Sequence, residues 1–143
     1  LAFAVAKRSP HPAVKVGAVL VDKQGEILSV AWNDFALGVK RKKERLAEGN
    51  KSHWLMCAEK HVLHAARARL HTLGKPDFKG CTLYTTLDPC HTCADDIIGN
   101  KITCVTVPKN ARAAYPRLKK KWTKSLDVAQ VKLREASIKL KVI

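Results

Sequence analysis

Two short cysteine segments constrain the fold of this chain more than any other feature. Cys57-Ala58-Glu59 and Pro89-Cys90-His91-Thr92-Cys93 each lie at the start of a predicted helix. Cys90 and Cys93 leave the same face of their helix, and a helix N-terminus favours the thiolate form of cysteine that zinc requires. The chain is therefore predicted to bring two helix N-termini together.

The three thiols predict a zinc site with one open coordination position. Cys57, Cys90 and Cys93 supply three of the four ligands of tetrahedral zinc, and an open fourth position is typical of catalytic zinc. Glu59 lies two residues after Cys57, so its carboxylate is expected beside the open position, where it can move protons. The alternative is a structural zinc knuckle closed by a histidine, with His53, His61, His64 and His91 as candidates.

The composition excludes several classes of protein. With 46% hydrophobic and 27% charged residues, the chain can bury a core and is predicted to form a single domain over residues 1–143. Five cysteines, an odd number, argue against a disulfide framework and for a reducing compartment. The opening residues 1–7 are too short for the apolar region of a signal peptide and are interpreted as a first helix. We therefore expect a cytoplasmic protein with no membrane partner.

The predicted elements alternate between helices and strands. Helices are predicted at residues 54–70, at 89–98 with Asp88 as N-cap, and around the apolar face from Trp122 to Leu133. The polar segment 33–53 is predicted to be a long loop and a candidate lid. Five strands are predicted, at residues 15–21, 26–32, 81–86, 102–107 and 138–143. This order indicates an α/β fold, in which one sheet starts with a hairpin and crossover helices pack on both faces.

The chain is strongly basic, and its positive charge is unevenly distributed along the sequence. The net charge is +15, and residues 101–143 contribute +10 of it through twelve basic and two acidic side chains. A second basic run covers residues 40–45. Such charge favours anionic partners, either nucleotides or nucleic acid, while the alternative is a solvated face that aids solubility.

The cysteine segments resemble the signature of zinc-dependent nucleobase deaminases, H-x-E with P-C-x-x-C, with Cys57 in place of the histidine. Beyond this signature, the chain resembles the deoxycytidylate (CMP/dCMP) deaminase family over nearly its full length. The resemblance implies a three-layer α/β/α sandwich with a mixed five-stranded sheet, and assembly as a homo-oligomer. The matching segments are residues 9–19, 32–38, 54–67, 81–86 with the Cys90 motif, and 122–136.

The resemblance also implies roles at the metal and the pyrimidine. Cys57, Cys90 and Cys93 would hold zinc, and Glu59 would transfer protons. The backbone amide of Ala58 would face the pyrimidine carbonyl.

Four further sites would contact the rest of the nucleotide. Asn33 would reach the sugar, or else cap a loop, and Phe35 would pack against the base or pin its loop. Lys15 and the basic run 40–45 are candidates for the phosphate, which needs cationic or N–H donors.

These observations favour hydrolytic deamination of a cytosine nucleotide, with dCMP as the leading substrate and zinc as the cofactor. One alternative is a cytosine or adenine deaminase acting on single-stranded DNA or tRNA through the basic C-terminal segment. Another is a non-catalytic zinc module that binds nucleic acid, although such a module has no need of Glu59. Three thiolates place more negative charge on zinc than two thiolates and an imidazole, so a cation or extra N–H donors must offset it, with His91 and a nearby arginine as candidates.

Overall fold

A five-stranded mixed sheet forms the centre of this computed structural model, which describes residues 1–47 and 51–143. In chain order the elements are α1 (Ala2–Ala6), β1 (Gly17–Val21), β2 (Ile27–Trp32), β3 (Asp34–Phe35), α2 (Lys51–Trp54), β4 (Leu55–Met56), α3 (Ala58–Thr72), β5 (Thr82–Thr85), α4 (His91–Gly99), β6 (Cys104–Val107), α5 (Lys120–Glu135) and β7 (Lys139–Val142). Short 3₁₀ helices cover Lys43–Leu46 and Ala111–Ala114.

The strands of the central sheet lie in the order β2-β1-β5-β6-β7. Strand β1 is antiparallel to both β2 and β5, whereas β5, β6 and β7 run parallel. In the hairpin turn, the Asp22 carboxylate accepts bonds of 2.9 Å from the Gln24 and Glu26 amides, and Gly25 adopts φ 87°. The five predicted strands and the mixed sheet are thus confirmed.

The two faces of the sheet carry different helices. The register aligns Leu20, Leu83 and Val105 on one face, and Ser29, the partner of Leu20, donates a 2.7 Å hydrogen bond to a carbonyl of α3. Helix α1 crosses the other face so closely that a Cβ at Gly17 would lie 2.0 Å from the Ala2 carbonyl oxygen. Glycine at position 17 is therefore required for this layer to form.

The crossover helices α4 and α5 contact each other, and α4 also contacts α3. They therefore share one face, rather than packing on both faces as predicted. The reason is that β5, β6 and β7 follow one another in the same direction, and right-handed crossovers then place both helices on the same side. The resulting layers are α1, the sheet, and the group α3, α4 and α5.

The predicted helix over 54–70 begins later than expected. Leu55 and Met56 pair with Phe35 and Asp34 in a separate two-stranded sheet, and this pairing takes them out of the helix. Cys57 is the N-cap of α3. Within the predicted loop 33–53, short regular elements cover residues 34–35, 43–46 and 51–53, and the described residues between them form turns and irregular structure. Residues 48–50 of the candidate lid lie outside the described residues.

The second cysteine helix also begins later than predicted. Its N-cap is Cys90 rather than Asp88, so Pro89 is not the first helical residue. The Asp88 carboxylate is instead bonded to Arg112 at 2.8 Å and to Gln130 at 3.1 Å. Asp88 therefore forms a tertiary ion pair and does not cap the helix.

The end of the chain follows the predicted pattern. Strand β7 lies at an edge of the sheet, with the exposed side chains of Lys139 and Lys141 flanking the half-buried Leu140. Charged side chains on an edge strand oppose pairing with other chains. Among the described helices, none combines the length and apolar character needed to cross a bilayer.

Candidate metal centre and active site

Three sulfur atoms meet where α3 and α4 begin. The ligand atoms of Cys57, Cys90 and Cys93 all lie within 4.8 Å of one another, and the Cys57 and Cys90 sulfurs are 3.9 Å apart. All three cysteines are free thiols. The structure thus brings together the three cysteines that the sequence selects.

The spacing and chemistry of this cluster fit zinc. Two sulfurs at about 2.3 Å from one tetrahedral zinc ion lie roughly 3.8 Å apart, close to the 3.9 Å between Cys57 and Cys90. Soft thiolate ligands select zinc over hard cations such as magnesium. Among the described residues this is the cluster that offers a set of metal ligands, and its three members leave one tetrahedral position for a fourth ligand.

Hydrogen bonds within the cluster shift the pKa values of the three thiols in different directions. Hydrogen bonds from Cys57, Cys93 and Thr92 hold the pKa of the Cys90 thiol well below its usual range. The pKa of Cys57 is raised because its thiol donates to Cys90, and the pKa of Cys93 is raised by its bonds to Cys57 and Cys90. A coordinated metal deprotonates thiols outright, so a divalent cation would allow all three to ionise.

Glu59 lies beside the sulfurs in the first turn of α3. Its side chain is only 4% exposed, and its Oε2 lies 3.8 Å from the Cys93 sulfur. Burial, followed by the Cys90 thiolate, raises the pKa of Glu59 to about 8. A carboxyl group with a pKa near neutrality can both accept and donate protons under physiological conditions.

A cavity of about 770 Å³ opens next to this group. Cys57, Glu59 and Cys90 form part of its wall, together with apolar side chains such as Leu55 and Trp122. Its size is that of a small-molecule site. The cations on its wall are Lys51, Lys60, Arg117, Lys119 and Lys121.

The histidines considered as a fourth zinc ligand are not part of the described metal cluster. His61 Nε2 lies 2.9 Å from the Asp34 carbonyl oxygen, and His91 Nδ1 lies 2.5 Å from the Ser125 hydroxyl. His53 and His64 are exposed. Among the described residues, therefore, no histidine joins the three cysteines to complete a structural zinc knuckle.

The family follows from comparison with known proteins. Residues 1–109 match the family model described as the cytidine and deoxycytidylate deaminase zinc-binding region. The chain belongs to this deaminase family.

Several relatives carry deaminase names. A probable deoxycytidylate deaminase of Caenorhabditis elegans is 34% identical over 119 residues, which cover 80% of this chain and 56% of that protein. The deoxycytidylate deaminase of Homo sapiens is 34% identical over 105 residues, covering 68% and 54%. An uncharacterized deaminase in the luxG 3' region of Aliivibrio fischeri is 27% identical over 140 residues, covering 98% and 86%. The chain thus spans about half the length of the deoxycytidylate deaminases it matches.

A solved structure shares the fold. The dCMP deaminase of cyanophage S-TIM5, crystallised in complex with dCMP and dUMP, superposes with a TM-score of 0.67 at 19% identity. The match covers 99% of this chain and 90% of that chain. It confirms the cytidine deaminase-like α/β/α fold with a mixed five-stranded sheet.

Two of the predicted substrate contacts of this deaminase-family chain line the cavity. Ala58 is the first residue of α3 and fully buried, and Asn33 is 9% exposed. The Asn33 side chain donates to the Val14 carbonyl at 2.8 Å and accepts from the Val16 amide at 2.9 Å. Asn33 therefore caps the segment that leads into β1, which is the alternative role predicted for it. It also lines the cavity.

The other predicted substrate contacts are absent from the described cavity wall. Phe35 is buried in β3 and packs beneath Arg41, and Lys15 donates a 2.6 Å bond to the Ser9 carbonyl. In the basic run 40–45, Arg41 pairs with Asp34, and Arg45 stacks on Trp54 at 3.8 Å. These side chains fix loops, and the structure does not bring them to the sulfurs.

Residues that the sequence did not single out complete the described site. Arg117, Lys119 and Lys121 belong to the basic C-terminal segment, whose charge was evident although its place beside the cavity was not. Lys60 follows Glu59 directly and binds Asp96 across the two cysteine helices at 2.6 Å. Its position one residue after the motif was the available signal.

Proposed function

We propose that this chain catalyses the hydrolytic deamination of a cytosine nucleotide, with dCMP converted to dUMP and ammonia. The observation that carries the proposal is the buried Glu59 carboxyl beside three clustered thiols, at the wall of a cavity lined by cations. The names of the relatives and the nucleotides bound to the cyanophage enzyme support the choice of substrate.

In this proposal Cys57, Cys90 and Cys93 hold zinc. When bound there, zinc would make water nucleophilic near neutral pH. The reaction adds one water to dCMP and releases one ammonia, so no redox partner or organic cofactor is needed.

Glu59 moves the protons of the reaction. Its carboxylate accepts a proton from the attacking water and delivers a proton to N3 of the cytosine ring. It then takes the remaining proton of the added water from the new hydroxyl group on carbon 4 and passes it to the amine, which leaves as ammonia when the bond between carbon 4 and nitrogen breaks. A carboxyl group that transfers protons among the water, N3 and the amine must be held in a fixed position. The burial of Glu59 restricts the movement of its side chain in this way.

Two further residues orient the nucleotide. The Ala58 amide, one of the free N–H groups at the start of a helix, donates to the pyrimidine carbonyl. Asn33 lies at the cavity wall, where its amide group can reach the sugar while its oxygen stays bonded to Val16.

The cations at the cavity wall favour a phosphorylated substrate. We assign phosphate recognition to Arg117, Lys119 and Lys121, in place of Lys15 and the run 40–45. Charge-assisted hydrogen bonds to phosphate are among the stronger polar interactions in proteins. The same segment would contact the phosphate backbone of a polynucleotide. The substrate assay must therefore distinguish a free nucleotide from a polynucleotide as the substrate.

Ammonia release across a substrate panel tests this function. The panel contains dCMP, CMP, dCTP, deoxycytidine and a short cytosine-rich DNA strand. We expect turnover of dCMP and a large loss with deoxycytidine. Turnover of the strand alone, falling steeply with salt, would replace the nucleotide with a polynucleotide. An inactive protein that binds the strand would support the non-catalytic module.

The proposal also includes a homo-oligomer in the cytoplasm. Exposed apolar side chains of α1 and of the sheet face beside it, among them Phe3, Ile27 and Tyr84, give a second copy an apolar surface to contact. Light scattering would measure the mass in solution, and cell fractionation the location.

A further inference from the structure

Positive charge is concentrated where β6 leads into α5. Residues 109–121 contain six basic side chains and no acidic one, and we call them the basic crossover. Because β5 and β6 are parallel, the crossover starts at the same sheet edge at which β5 leads to Cys90. It therefore lies at the carboxyl ends of the strands, the edge at which open α/β sheets bind their ligands.

The fold leaves much of this charge uncompensated. Arg112 is bonded to the carboxylates of Asp88 and Asp127. Four other side chains of the crossover are exposed and form no ion pair within the described part of the chain, namely Lys109, Arg117, Lys120 and Lys121. The crossover therefore presents an excess of positive charge to solvent.

The last part of the crossover also carries a charge of unfavourable sign for α5. Lys120 and Lys121 lie in the first turn of this helix, which contains no acidic residue, and the N-cap Lys119 makes no side-chain capping bond. The N-terminus of a helix carries partial positive charge, so cations there reduce the stability of the helix. Bound anions would offset this cost.

A free nucleoside monophosphate does not account for the whole crossover. Its phosphate carries a charge of about −1.5 to −2 at neutral pH, which Arg117, Lys119 and Lys121 on the cavity wall already match. Lys109 and Lys120 belong to the same crossover but not to the described cavity wall. Further phosphate groups, as in a polynucleotide, would give these two lysines a partner.

An aromatic residue next to these cations favours nucleic acid over other polyanions. Trp122 is half-buried on the cavity wall, and the Lys121 ammonium lies 5.7 Å from the centroid of its ring. Proteins that bind single strands combine a positively charged groove, which follows the backbone, with aromatic side chains on which bases stack. An acidic protein surface would use the cations but not the aromatic ring.

We propose that the basic crossover binds the phosphate backbone of a single-stranded nucleic acid, with Lys109 and Lys120 outside the cavity and Trp122 stacking on a base at its wall. The inference rests on the proposed function for the nucleotide chemistry of the cavity, but it requires no deamination. A strand bound in this way passes the cavity wall, so the chain would hold polynucleotides as well as free nucleotides.

Fluorescence anisotropy of a labelled thymidine strand of about 16 nucleotides tests this surface, since single-strand-binding domains cover at most about that length. The strand contains no cytosine, so binding is measured without deamination. Replacing both Lys109 and Lys120 with methionine should weaken binding by roughly tenfold near physiological salt. The slope of log affinity against log salt should fall by about 1.4, because each phosphate contact on a single strand contributes about 0.7.

The matched control removes two lysines from the opposite edge of the sheet. Lys75 and Lys79 are exposed and precede β5, so they lie at the amino end of that strand. Replacing both with methionine lowers the net charge equally and should change the affinity by less than about twofold, with the same salt slope as the parent. An equal loss in the two double variants would mean that the net charge of +15 attracts the strand without a defined surface, and the inference would be wrong.

Two further measurements test the choice of ligand. Trp122→Leu should weaken binding of the strand without changing the salt slope, because stacking on the ring releases no counterions from the backbone. Unchanged affinity in this variant would contradict a single strand as the ligand. Polyglutamate should compete poorly with the strand, and equal competition at matched charge would assign the crossover to acidic proteins instead.

The outcomes also separate this inference from the proposed function. A protein that releases no ammonia from dCMP yet binds the strand through Lys109 and Lys120 would support the inference and contradict the enzyme. Turnover of dCMP, with equal strand affinity in the parent and in the Lys109 and Lys120 double variant, would support the enzyme and overturn the inference. The melting temperature of this double variant should be unchanged or raised, which excludes unfolding as the cause of weaker binding.

Discussion

The hydroxyl groups of Thr86 and Tyr115 lie 2.7 Å apart in the interior. Tyr115 donates to the Lys15 carbonyl at 2.8 Å, and Thr86 accepts from the Gly17 amide at 3.1 Å, so Thr86 must donate to Tyr115. These hydrogen bonds connect three parts of the chain. They are the segment that precedes the cavity cations, the start of β1, and the end of β5, which leads to Cys90.

Tyr115→Phe should destabilise the protein by about 1–3 kcal/mol, because it leaves the Thr86 hydroxyl and the Lys15 carbonyl without their partner. Urea unfolding would measure the free energy of unfolding. The control is Tyr84→Phe, the same change at a side chain that is 38% exposed, with an expected effect within about 0.5 kcal/mol. Equal stabilities of the two variants would mean that the buried hydroxyl chain contributes nothing.

Glu59→Gln should lower kcat for dCMP by ~10²–10⁴-fold or more while zinc remains bound, because the amide cannot transfer protons and Glu59 is not a ligand. Ammonia release and zinc content are measured on the same sample. Glu135→Gln, at the exposed end of α5, should behave as the parent. Undiminished ammonia release by Glu59→Gln would remove this carboxylate from the mechanism.

Lys121→Met should raise KM for dCMP by roughly tenfold and leave turnover of deoxycytidine unchanged, because it removes a charge-assisted contact to phosphate. Steady-state kinetics with both substrates would show this split. Lys124→Met is the control, since Lys124 is exposed one turn further along α5 and is not part of the described cavity wall. If the two variants had the same KM for dCMP, phosphate recognition would lie elsewhere.

Removal of the metal should lower the melting temperature. In the proposed site zinc would bind the three cysteines only in their folded arrangement, so at a hundred times its dissociation constant it would add about 2.7 kcal/mol to stability. Calorimetry before and after chelation measures the change. Added Zn²⁺ should restore the original melting temperature and Mg²⁺ should not, because thiolates select zinc. A chelated protein with an unchanged melting temperature would argue against a structural contribution of the metal.

Much of this fold and site could be predicted from local patterns. The five strands, the first and last helices and the three cysteines were evident because β-branched runs, helical periodicity and motif spacing depend on neighbouring residues. The start of α3 was misplaced because Leu55 and Met56 pair with Asp34 and Phe35, which are distant in sequence. The N-cap at Asp88 was wrong for a similar reason, since Arg112 and Gln130 bind its carboxylate.

The sequence by itself determined the family, because the signature of the family consists of residue types at short fixed spacings, and the same spacings predict the ligand set and the proton-transferring carboxylate. Only the tertiary structure decided which cations line the cavity. The segments 40–45 and 117–121 each carry a net charge of +4, yet only the second contributes cations to the wall of the described cavity. The charge of a segment is set by its own residues. The site that its charged side chains reach depends on how segments distant in the sequence pack together.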